Sequence, residues 1–278
     1  MNAMQSTGTD GTKRPVDVLS GNLRIRLAES RAEIEASQRL RYRIFVEEMH
    51  AKPSEAQRAC AREFDRYDDF ADHLLMFDRT LGDGPEAVIG TYRLMRRSQA
   101  QRAGQFYTAD EYDITPLLDY PGDIVELGRS CVAEAYRSGS TMQILWRGIA
   151  EYVLHFNVRI MFGCGSLHGT DLEALGPQLS YLHQNHLAPP NLRPKALPDR
   201  YEDMNRLTPE AFDPRRALAK LPPLIKGYLR LGGFVGEGAV IDYEFNTTDV
   251  CVVVPTDQVT ERYARHLTRN EPGGRAEN

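Results

Sequence analysis

The sequence lacks any apolar run long enough to span a membrane, and its first residues, MNAMQSTGTDGTKRP, lack the apolar segment of a signal peptide. Its four cysteines (Cys60, Cys131, Cys164 and Cys251) are scattered without a CxxC pair, which indicates neither a metal site nor a disulfide framework. There is no basic surplus either. The 34 Lys and Arg against 39 Asp and Glu give a net charge of −5, which disfavours a general nucleic-acid binder. These absences predict a soluble, cytoplasmic protein with no metal and no nucleic-acid partner.

What is present is enough apolar material for a real core: 41% of the 278 residues are hydrophobic. Strands come first, a strand–helix–strand unit follows, and strands return at the end, which predicts a single α+β domain over 21–268 with a mixed sheet. Residues 1–20 and 269–278 have the composition of disordered tails. Residues 187–223 hold eight of the sixteen prolines and predict a proline-rich insertion without regular structure.

Alternation and helical spacing place the elements along the chain. Ser30, with Glu33 three residues on, has the spacing of a capping box at the start of a helix. The segment GGFVGEG is read as a turn between two late strands. The predicted strands lie at 23–28, 73–78, 87–95, 124–133 and 159–163, with more within 227–255, and the predicted helices lie at 30–47, 141–156 and 171–186.

The segment from Ile124 to Phe156 reads as a strand, a polar turn containing Ser138, Gly139 and Ser140, and an amphipathic helix. The first backbone N–H groups of such a helix have no partner within the helix and lie at the positive end of its dipole. The turn is therefore a candidate site for a phosphate group, with Arg137 as an additional source of positive charge.

Charged residues cluster in three places, each on or beside a predicted element. Arg41 and Phe45 lie one helical turn apart, Asp65 and Asp68 flank a tyrosine, and the sheet carries Arg93, Glu126 and Arg129. Charged groups on adjacent strands are costly to bury unless they are paired or used. Two interpretations carry about equal weight: a functional site, or an internal ion-pair network that orders the first helix against the sheet.

The order Arg41-x-x-x-Phe45, Asp65-x-x-Asp68, Arg93, Glu126-x-x-Arg129 resembles the acyl-homoserine-lactone synthases of the GNAT acyltransferase superfamily. Residues 222–255, PPLIKGYLRLGGFVGEGAVIDYEFNTTDVCVVVP, look instead like the related L-ornithine Nα-acyltransferases, which make lyso-ornithine lipid from ornithine and 3-hydroxyacyl carrier protein. The resemblance covers residues 24–267. It implies a GNAT-like fold with a mostly antiparallel sheet flanked by helices, and an acyl-carrier-protein-dependent, amide-forming transferase of ornithine lipid biosynthesis. It also implies no cofactor, because the donor carries its own 4′-phosphopantetheine.

The resemblance also implies roles for individual residues. Glu126 would be the base that deprotonates the acceptor amine, with Asp68 as a second catalytic residue. The residues expected to bind the acceptor substrate are Arg41, Phe45, Asp65, Arg93 and Arg129, and those expected to bind the donor phosphopantetheine are Cys131, Arg137, Ser138, Gly139 and Ser140.

The glycine loop departs from the Arg/Gln-x-x-Gly-x-Gly/Ala pattern of GNAT enzymes that use coenzyme A. Tyr136 stands at its first position and Thr141 at its last. A reduced phosphate cradle suits the single phosphodiester of a carrier-protein arm better than a pyrophosphate. Cys131 as a nucleophile and His168 as a proton donor are weaker candidates, because buried small thiols and surface loop histidines are common.

The expected partners are acylated acyl carrier protein, L-ornithine and, peripherally, an anionic membrane. The membrane expectation rests on residues 193–230, which hold nine Lys and Arg against five Asp and Glu. Three alternatives stay open: a homoserine-lactone synthase with S-adenosylmethionine as acceptor, a coenzyme-A-dependent acetyltransferase, and a non-catalytic module that binds carrier protein or membrane. Lysine and glutamine also stay open as acceptors.

Overall fold

A computed structural model describes residues 14–257. The strands are β1 (Asp17–Ser20), β2 (Leu23–Leu27), β3 (Asp72–Asp78), β4 (Val88–Arg96), β5 (Tyr112–Asp113), β6 (Asp123–Val132), β7 (Val158–His168), β8 (Lys195–Ala196), β9 (Phe234–Asp242) and β10 (Thr247–Pro255). The helices are α1 (Arg31–Arg41), α2 (Glu55–Cys60), α3 (Arg97–Ala103), α4 (Thr115–Leu118), α5 (Gly139–His155), α6 (Leu172–His186), α7 (Pro214–Lys220) and α8 (Pro223–Arg230). Helix α1 continues as a π-helical segment, Tyr42–Glu48.

The strands form one sheet in the order β1-β2-β3-β4-β6-β7-β10-β9-β8-β5. Neighbours are antiparallel except for β6–β7 and the short β8–β9 contact. The prediction of an α+β fold with a mixed, mostly antiparallel sheet is therefore confirmed. The one substantial parallel pair lies near the middle of the sheet, so the chain must cross over between β6 and β7, and α5 makes that crossover.

Helices and loops cover both faces of the sheet. On one face α5 packs across β1, β2, β3 and β7, and its Leu145, Ile149, Tyr152 and Val153 are buried, as their helical spacing predicted. On the other face α1 lies over β4 and β6, and the segment 97–118 covers the rest with an aromatic core. Within that core the rings of Phe106 and Phe162 meet edge to face, 5.0 Å apart. The central strands are thereby buried on both sides.

The caps of the helices follow the sequence signals. The Ser30 hydroxyl accepts a hydrogen bond from the Glu33 amide (3.3 Å) at the start of α1. Ser138 caps α5 in the same way through the Thr141 amide (3.2 Å). The Glu33 carboxylate departs from the predicted capping box: it forms a buried ion pair with Arg26 (2.6 Å) and accepts from the Glu29 amide. The first helix is thus also joined to β2.

Several sequence-based boundaries differ from the structure. Strand β1 lies inside the segment predicted as a disordered tail, because Asp17 pairs with Arg24 across the β1–β2 hairpin (2.7 Å). The structure does not describe residues 1–13 and 258–278. The remainder of the predicted N-terminal tail and the whole predicted C-terminal tail, 269–278, therefore lie outside the described residues. GGFVGEG is not a turn, since most of it forms the start of β9. The proline-rich residues 187–223 contain α7, β8 and short 3₁₀ turns, and α8 begins at their end.

Candidate active site

The central strands β6 and β7 separate part-way along their length. They pair in parallel only from Asp123 and Val158 to Glu126 and Phe162. Beyond that point β6 continues beside β4 and β7 continues beside β10, which leaves a gap between the two strands. Backbone groups that face such a gap are available to an extended ligand, which can bind there as an added strand.

A glycine sits where the strands diverge. Any Cβ at Gly163 would clash with the carbonyl oxygen of Leu127, so only glycine allows this close approach. Next to it lies a narrow cleft, lined by Leu127, Met161, Phe162, Gly163, Cys164, Tyr228, Val252 and Val254. Phe162 and Cys164 direct their side chains to the other face, towards Phe106 and Glu111, so the wall of the cleft is apolar apart from the Tyr228 phenol.

On the α5 side the cleft is closed by α8. Tyr228 of α8 is buried, and its hydroxyl hydrogen-bonds the hydroxyl of Tyr92 on β4. The indole of Trp146 on α5 meets the Tyr228 ring edge to face at 5.1 Å, which fixes the orientation of the phenol. No local pattern in the sequence points to this pair, because the two tyrosines lie 136 residues apart.

On the opposite side of the sheet, Glu126 projects from the last paired position of β6. Its Oε1 accepts hydrogen bonds from the Thr108 amide (2.6 Å) and hydroxyl (2.5 Å), and its Oε2 accepts from the Tyr107 amide (3.0 Å). Burial raises the pKa of this carboxyl, and the Thr108 hydrogen bonds oppose that rise. The structure therefore places the predicted base at the divergence of the strands, with a pKa above that of an ordinary glutamate.

Two further buried acids, neither of them predicted from the sequence, lie beyond Glu126. Glu111, Cys164 of β7 and Asp249 of β10 have their side-chain donor atoms within 4.8 Å of one another. The thiol of Cys164 donates to Glu111 (3.3 Å), and the Thr247 hydroxyl donates to Asp249 (2.9 Å). Among residues 14–257 the cation beside Glu111 is Arg200, which forms a loose ion pair with it: Nη2 lies 3.8 Å from Oε1, longer than a hydrogen bond. The two carboxyls are therefore poorly compensated.

The electrostatic consequence is visible in the acids themselves. Burial, together with the charge of Asp249, raises the pKa of Glu111 to about 8. Burial, together with the charge of Asp242, raises the pKa of Asp249 to about 6. Burial likewise raises the pKa of the Cys164 thiol far above its usual value, so the thiol stays protonated and is a poor metal ligand. Together, Glu126, Glu111 and Asp249 form what we call the acidic row.

The acidic row predicts that the free protein loses stability as the pH rises. The folded state holds the Glu111 proton up to a pKa of about 8, whereas the unfolded chain releases it near the usual pKa, about 4.3. Between these values the native state binds more protons than the unfolded state, so the free energy of unfolding falls with increasing pH. We expect melting temperatures to decline from pH 5 to pH 8, and Glu111→Gln to flatten that decline. An equal slope in the variant would contradict the assignment.

The arginines and acids singled out in the sequence form a closed ring of ion pairs. Going round it, the pairs are Arg41–Glu63 (2.5 Å), Glu63–Arg129 (3.0 Å), Arg129–Asp65 (3.1 Å), Asp65–Arg93 (2.5 Å), Arg93–Asp68 (3.0 Å) and Asp68–Arg41 (2.7 Å). Three guanidinium groups thus alternate with three carboxylates, and their charges cancel. Glu63, a member that the sequence analysis did not assign, joins the first helix to β6. The ring is the internal network that was one of the two interpretations of these residues.

A bulge in β6 directs Arg129 into the ring. Cys131 pairs with Thr91 and Gly128 with Arg93, so Arg129 and Ser130 together oppose the single residue Tyr92. Arg129 has φ 51°, in the left-handed region that non-glycine residues rarely adopt. Its guanidinium also lies over the rings of Tyr107 (4.6 Å) and Phe245 (4.7 Å).

These contacts correct three of the predicted roles. Burial opposes ionisation of Asp68, but Arg41 outweighs it and holds the pKa of Asp68 far below its usual range, so Asp68 is too weak a base for proton transfer at neutral pH. Arg41 is fully buried, and its guanidinium N–H groups donate hydrogen bonds to Glu63 and Asp68. Phe45 packs edge to face on Phe245. These contacts give all three side chains a structural use, whereas Arg129 and Asp65 keep the largest exposed fractions in the ring, 12% and 21%.

The predicted donor residues are only partly brought together. Ser138 caps α5 and lies beside Ser140 (2.9 Å), and the Cα of Gly139 faces open space. Arg137 forms a half-exposed ion pair with Glu48 (2.5 Å). Cys131 is not with them, because its side chain is buried in the cluster beneath α1, where burial raises the pKa of its thiol to about 12. That environment also argues against Cys131 as a nucleophile.

Comparisons with known proteins agree with this architecture. The acetyltransferase (GNAT) domain family matches residues 40–147. The L-ornithine N(alpha)-acyltransferase of Rhizobium meliloti (strain 1021) is 46% identical over 255 residues, 90% of this chain and 86% of that protein. The enzyme of the same name from Brucella abortus (strain 2308) is 46% identical over 87% of this chain and 88% of that one. Among solved structures, FeeM, an N-acyl amino acid synthase from uncultured soil microbes, aligns with a TM-score of 0.46 at 9% identity, covering 86% and 97% of the two chains.

The sheet, the matched domain and the named relatives define an N-acyltransferase of the GNAT class. Sequence identity of 46% over nearly the whole chain also shows the family within that class. The chain belongs to the family of L-ornithine N(alpha)-acyltransferases.

Proposed function

We propose that the protein transfers a 3-hydroxyacyl group from acyl carrier protein to the α-amino group of L-ornithine, the first step of ornithine lipid biosynthesis. The relatives' name supports ornithine as the acceptor. The observation that carries the proposal is the acidic row of Glu126, Glu111 and Asp249 beside the gap between β6 and β7. A dibasic amino acid brings two ammonium groups, and buried acids that have no hydrogen-bonded cation within residues 14–257 are suited to bind them.

The spacing of the acidic row along β7 matches the distance between the two ammonium groups of such an acceptor. Glu126 is level with Phe162 on β7, and the other two acids lie by Cys164 and Ser166, the next residues on the same face. Successive same-face positions are roughly 7 Å apart, a span that the three methylenes of ornithine can bridge. The α-amine would contact Glu126 and the side-chain ammonium would contact Glu111 and Asp249. Arg129, the most accessible arginine of the ring, would hold the carboxylate.

The chemistry then follows from the protonation states. The α-ammonium is not nucleophilic until it loses a proton, which Glu126 takes directly or through a water. The free amine attacks the thioester carbonyl, so that a C–N bond forms and a tetrahedral oxyanion develops. Backbone N–H groups facing the gap can stabilise that charge. As the intermediate collapses and the C–S bond breaks, the nitrogen loses its second proton, which neutralises the departing thiolate as a thiol. The first proton, held by Glu126, is released to solvent and restores the base.

The donor arm is proposed to run along the gap between β6 and β7 towards α5. Its phosphodiester would lie at the start of α5, where Ser138 and Ser140 surround the open Gly139 position. Asp65 and Arg93 would then act indirectly, by fixing Arg129 and β4 through the ion-pair ring.

Product analysis by mass spectrometry tests the proposal. Purified protein is given 3-hydroxyacyl carrier protein with ornithine, lysine, glutamine or S-adenosylmethionine, and the ornithine arm is repeated with 3-hydroxyacyl-coenzyme A. We expect the ornithine amide, formed faster from the carrier protein. Product only from S-adenosylmethionine would make the protein a lactone synthase. If the protein binds the acyl carrier protein but forms no product with any acceptor, its function is binding and not acyl transfer.

We also propose peripheral contact with an anionic membrane. The basic surface available for it is smaller than the nine Lys and Arg of residues 193–230 suggested. Five of the nine basic residues in 193–230 pair with carboxylates: Arg193, Lys195, Arg200, Arg206 and Arg216. The surface that remains centres on α7, where Arg215 and Lys220 flank the exposed Leu218. No helix within residues 14–257 is long and apolar enough to cross a bilayer.

Flotation with anionic vesicles at low salt should recover the wild type and less of Arg215→Glu. A wild type that stays at the bottom would refute the contact.

A further inference from the structure

The Tyr92–Tyr228 pair is a polar feature beside an otherwise apolar cleft, and Tyr228 is the member that lines it. Both side chains are buried, with 1% and 5% of their surface exposed, and their hydroxyls hydrogen-bond each other. Burial raises the pKa of Tyr92 to about 12 and that of Tyr228 well above its usual value, so both remain neutral phenols that can donate and accept. Neither residue contacts the acidic row, and the reaction described above uses neither.

We propose that Tyr92 and Tyr228 recognise a hydroxyl group on the acyl chain of the donor, and so determine which donors the enzyme accepts. This inference rests on the proposed function and deepens it, since it assigns donor selectivity to two named phenols. The cleft that Tyr228 lines also includes Phe162, Gly163 and Cys164, where the strands diverge beside Glu126. A thioester held for attack there would place the first carbons of its acyl chain next to the phenols.

The selectivity would come from the number of buried hydroxyl groups that each donor leaves without a hydrogen-bond partner. An acyl chain of methylenes alone that enters the cleft must part the two phenols and leave buried hydroxyl groups unsatisfied, which is costly. Within residues 14–257 the hydroxyl of each tyrosine has the other as its side-chain hydrogen-bond partner, so parting them leaves both without one. A hydroxyl on the chain can donate to one phenol and accept from the other, and so replaces the bond that it breaks.

The pair is rigid enough to discriminate. The Tyr228 ring meets the Trp146 indole, and the indole packs against Gly227, where a Cβ would lie only 3.3 Å from it. The Tyr228 carbonyl accepts a hydrogen bond from the Gly233 amide (3.0 Å), which holds its backbone as well. Tyr92 lies opposite the β6 bulge at Arg129 and Ser130. Hydrogen-bonding groups that cannot relax reject a substrate lacking the matching group more strongly than flexible ones do.

The test compares two carrier-protein donors of equal chain length, 3-hydroxyacyl and unsubstituted acyl, with ornithine as acceptor. We expect the wild type to prefer the hydroxylated donor in kcat/KM, and Tyr228→Phe to lose about tenfold of that preference. The loss should come from slower reaction of the hydroxylated donor, with the unsubstituted donor unchanged or faster. Tyr92→Phe should act in the same direction. Tyr152→Phe is the matched control, since this buried tyrosine bonds Asp72 and Arg96 outside the cleft and should keep the wild-type ratio.

The other outcomes overturn the inference in distinguishable ways. An unchanged preference in both Tyr228→Phe and Tyr92→Phe would show that the phenols do not recognise the donor. Equal losses with both donors would make the pair structural or catalytic instead. If the wild type acylates ornithine from neither donor, the proposed function itself fails. Melting curves identify a variant that does not fold, and the other tyrosine variant then decides.

Discussion

Glu126→Gln lowers kcat/KM for ornithine acylation by about 100-fold or more, since a positioned general base typically contributes 10²–10⁴-fold. Only the ionised carboxylate accepts the proton, so the wild-type rate should rise with pH through the pKa of Glu126, which burial raises. The variant should lack that acidic limb of the pH–rate profile. Donor KM should change little, because the residue contacts the acceptor side of the gap.

A matched control separates base catalysis from a structural effect. Thr108→Val removes one of the three hydrogen bonds to the same carboxylate and keeps the base. Because that bond lowers the pKa of Glu126, its loss should move the acidic limb to higher pH without abolishing it. A Glu126→Gln enzyme with the wild-type rate at every pH would exclude Glu126, and Glu111 would be the next candidate.

Arg41→Leu destabilises the protein by about 3–5 kcal/mol, because it leaves Glu63 and Asp68 buried with too little positive charge. This is a large part of a typical native stability of about 5–15 kcal/mol, so reduced soluble yield should accompany it. Urea unfolding measures the effect. Arg31→Ala is the control: its ion pair with Asp69 is exposed by 59% and 68% and should be worth less than about 1 kcal/mol.

Two further results would confirm the physical cause. Adding Asp68→Asn to Arg41→Leu should recover part of the loss, since it removes one unpaired charge. The wild-type contribution of Asp68 should also depend on acid. Its folded pKa is lowered, so its stabilisation is complete above the unfolded value of about 3.9 and disappears as the pH falls below it. If Arg41→Leu unfolds at the wild-type urea concentration, the ring contributes no stability.

The sequence predicted those parts of the fold that depend on local pattern. Helix α5 follows from its apolar spacing and its Ser138 cap, and β3 and β4 from short apolar runs around a turn. Strand β9 was missed because its glycines suggested a turn. Gly236 and Gly238 are needed there for another reason, since a Cβ at these positions would collide with the Pro194 carbonyl and the Tyr201 ring. That requirement comes from tertiary packing, which no local pattern reports.

The site divides in the same way. Glu126 and Arg129 were identified because they stand as charges in an apolar strand. Glu111 and Asp249 were missed because their proximity depends on the 97–118 segment folding over β10, and each in isolation looks like an ordinary acid. The roles of Asp68 and Arg41 were over-interpreted for a related reason. A sequence shows that charges are present, and only the structure shows that the ring neutralises them internally.

The neutral ring has a consequence for product release. Because its charges cancel, the local potential is set mainly by the acidic row, which favours occupants of high positive charge. Forming an amide removes the charge of one ammonium group, so the product carries one positive charge fewer than the ornithine that entered. The three carboxyl groups that we propose bind the acceptor would hold the product more weakly, and this difference would favour product release before the next turnover.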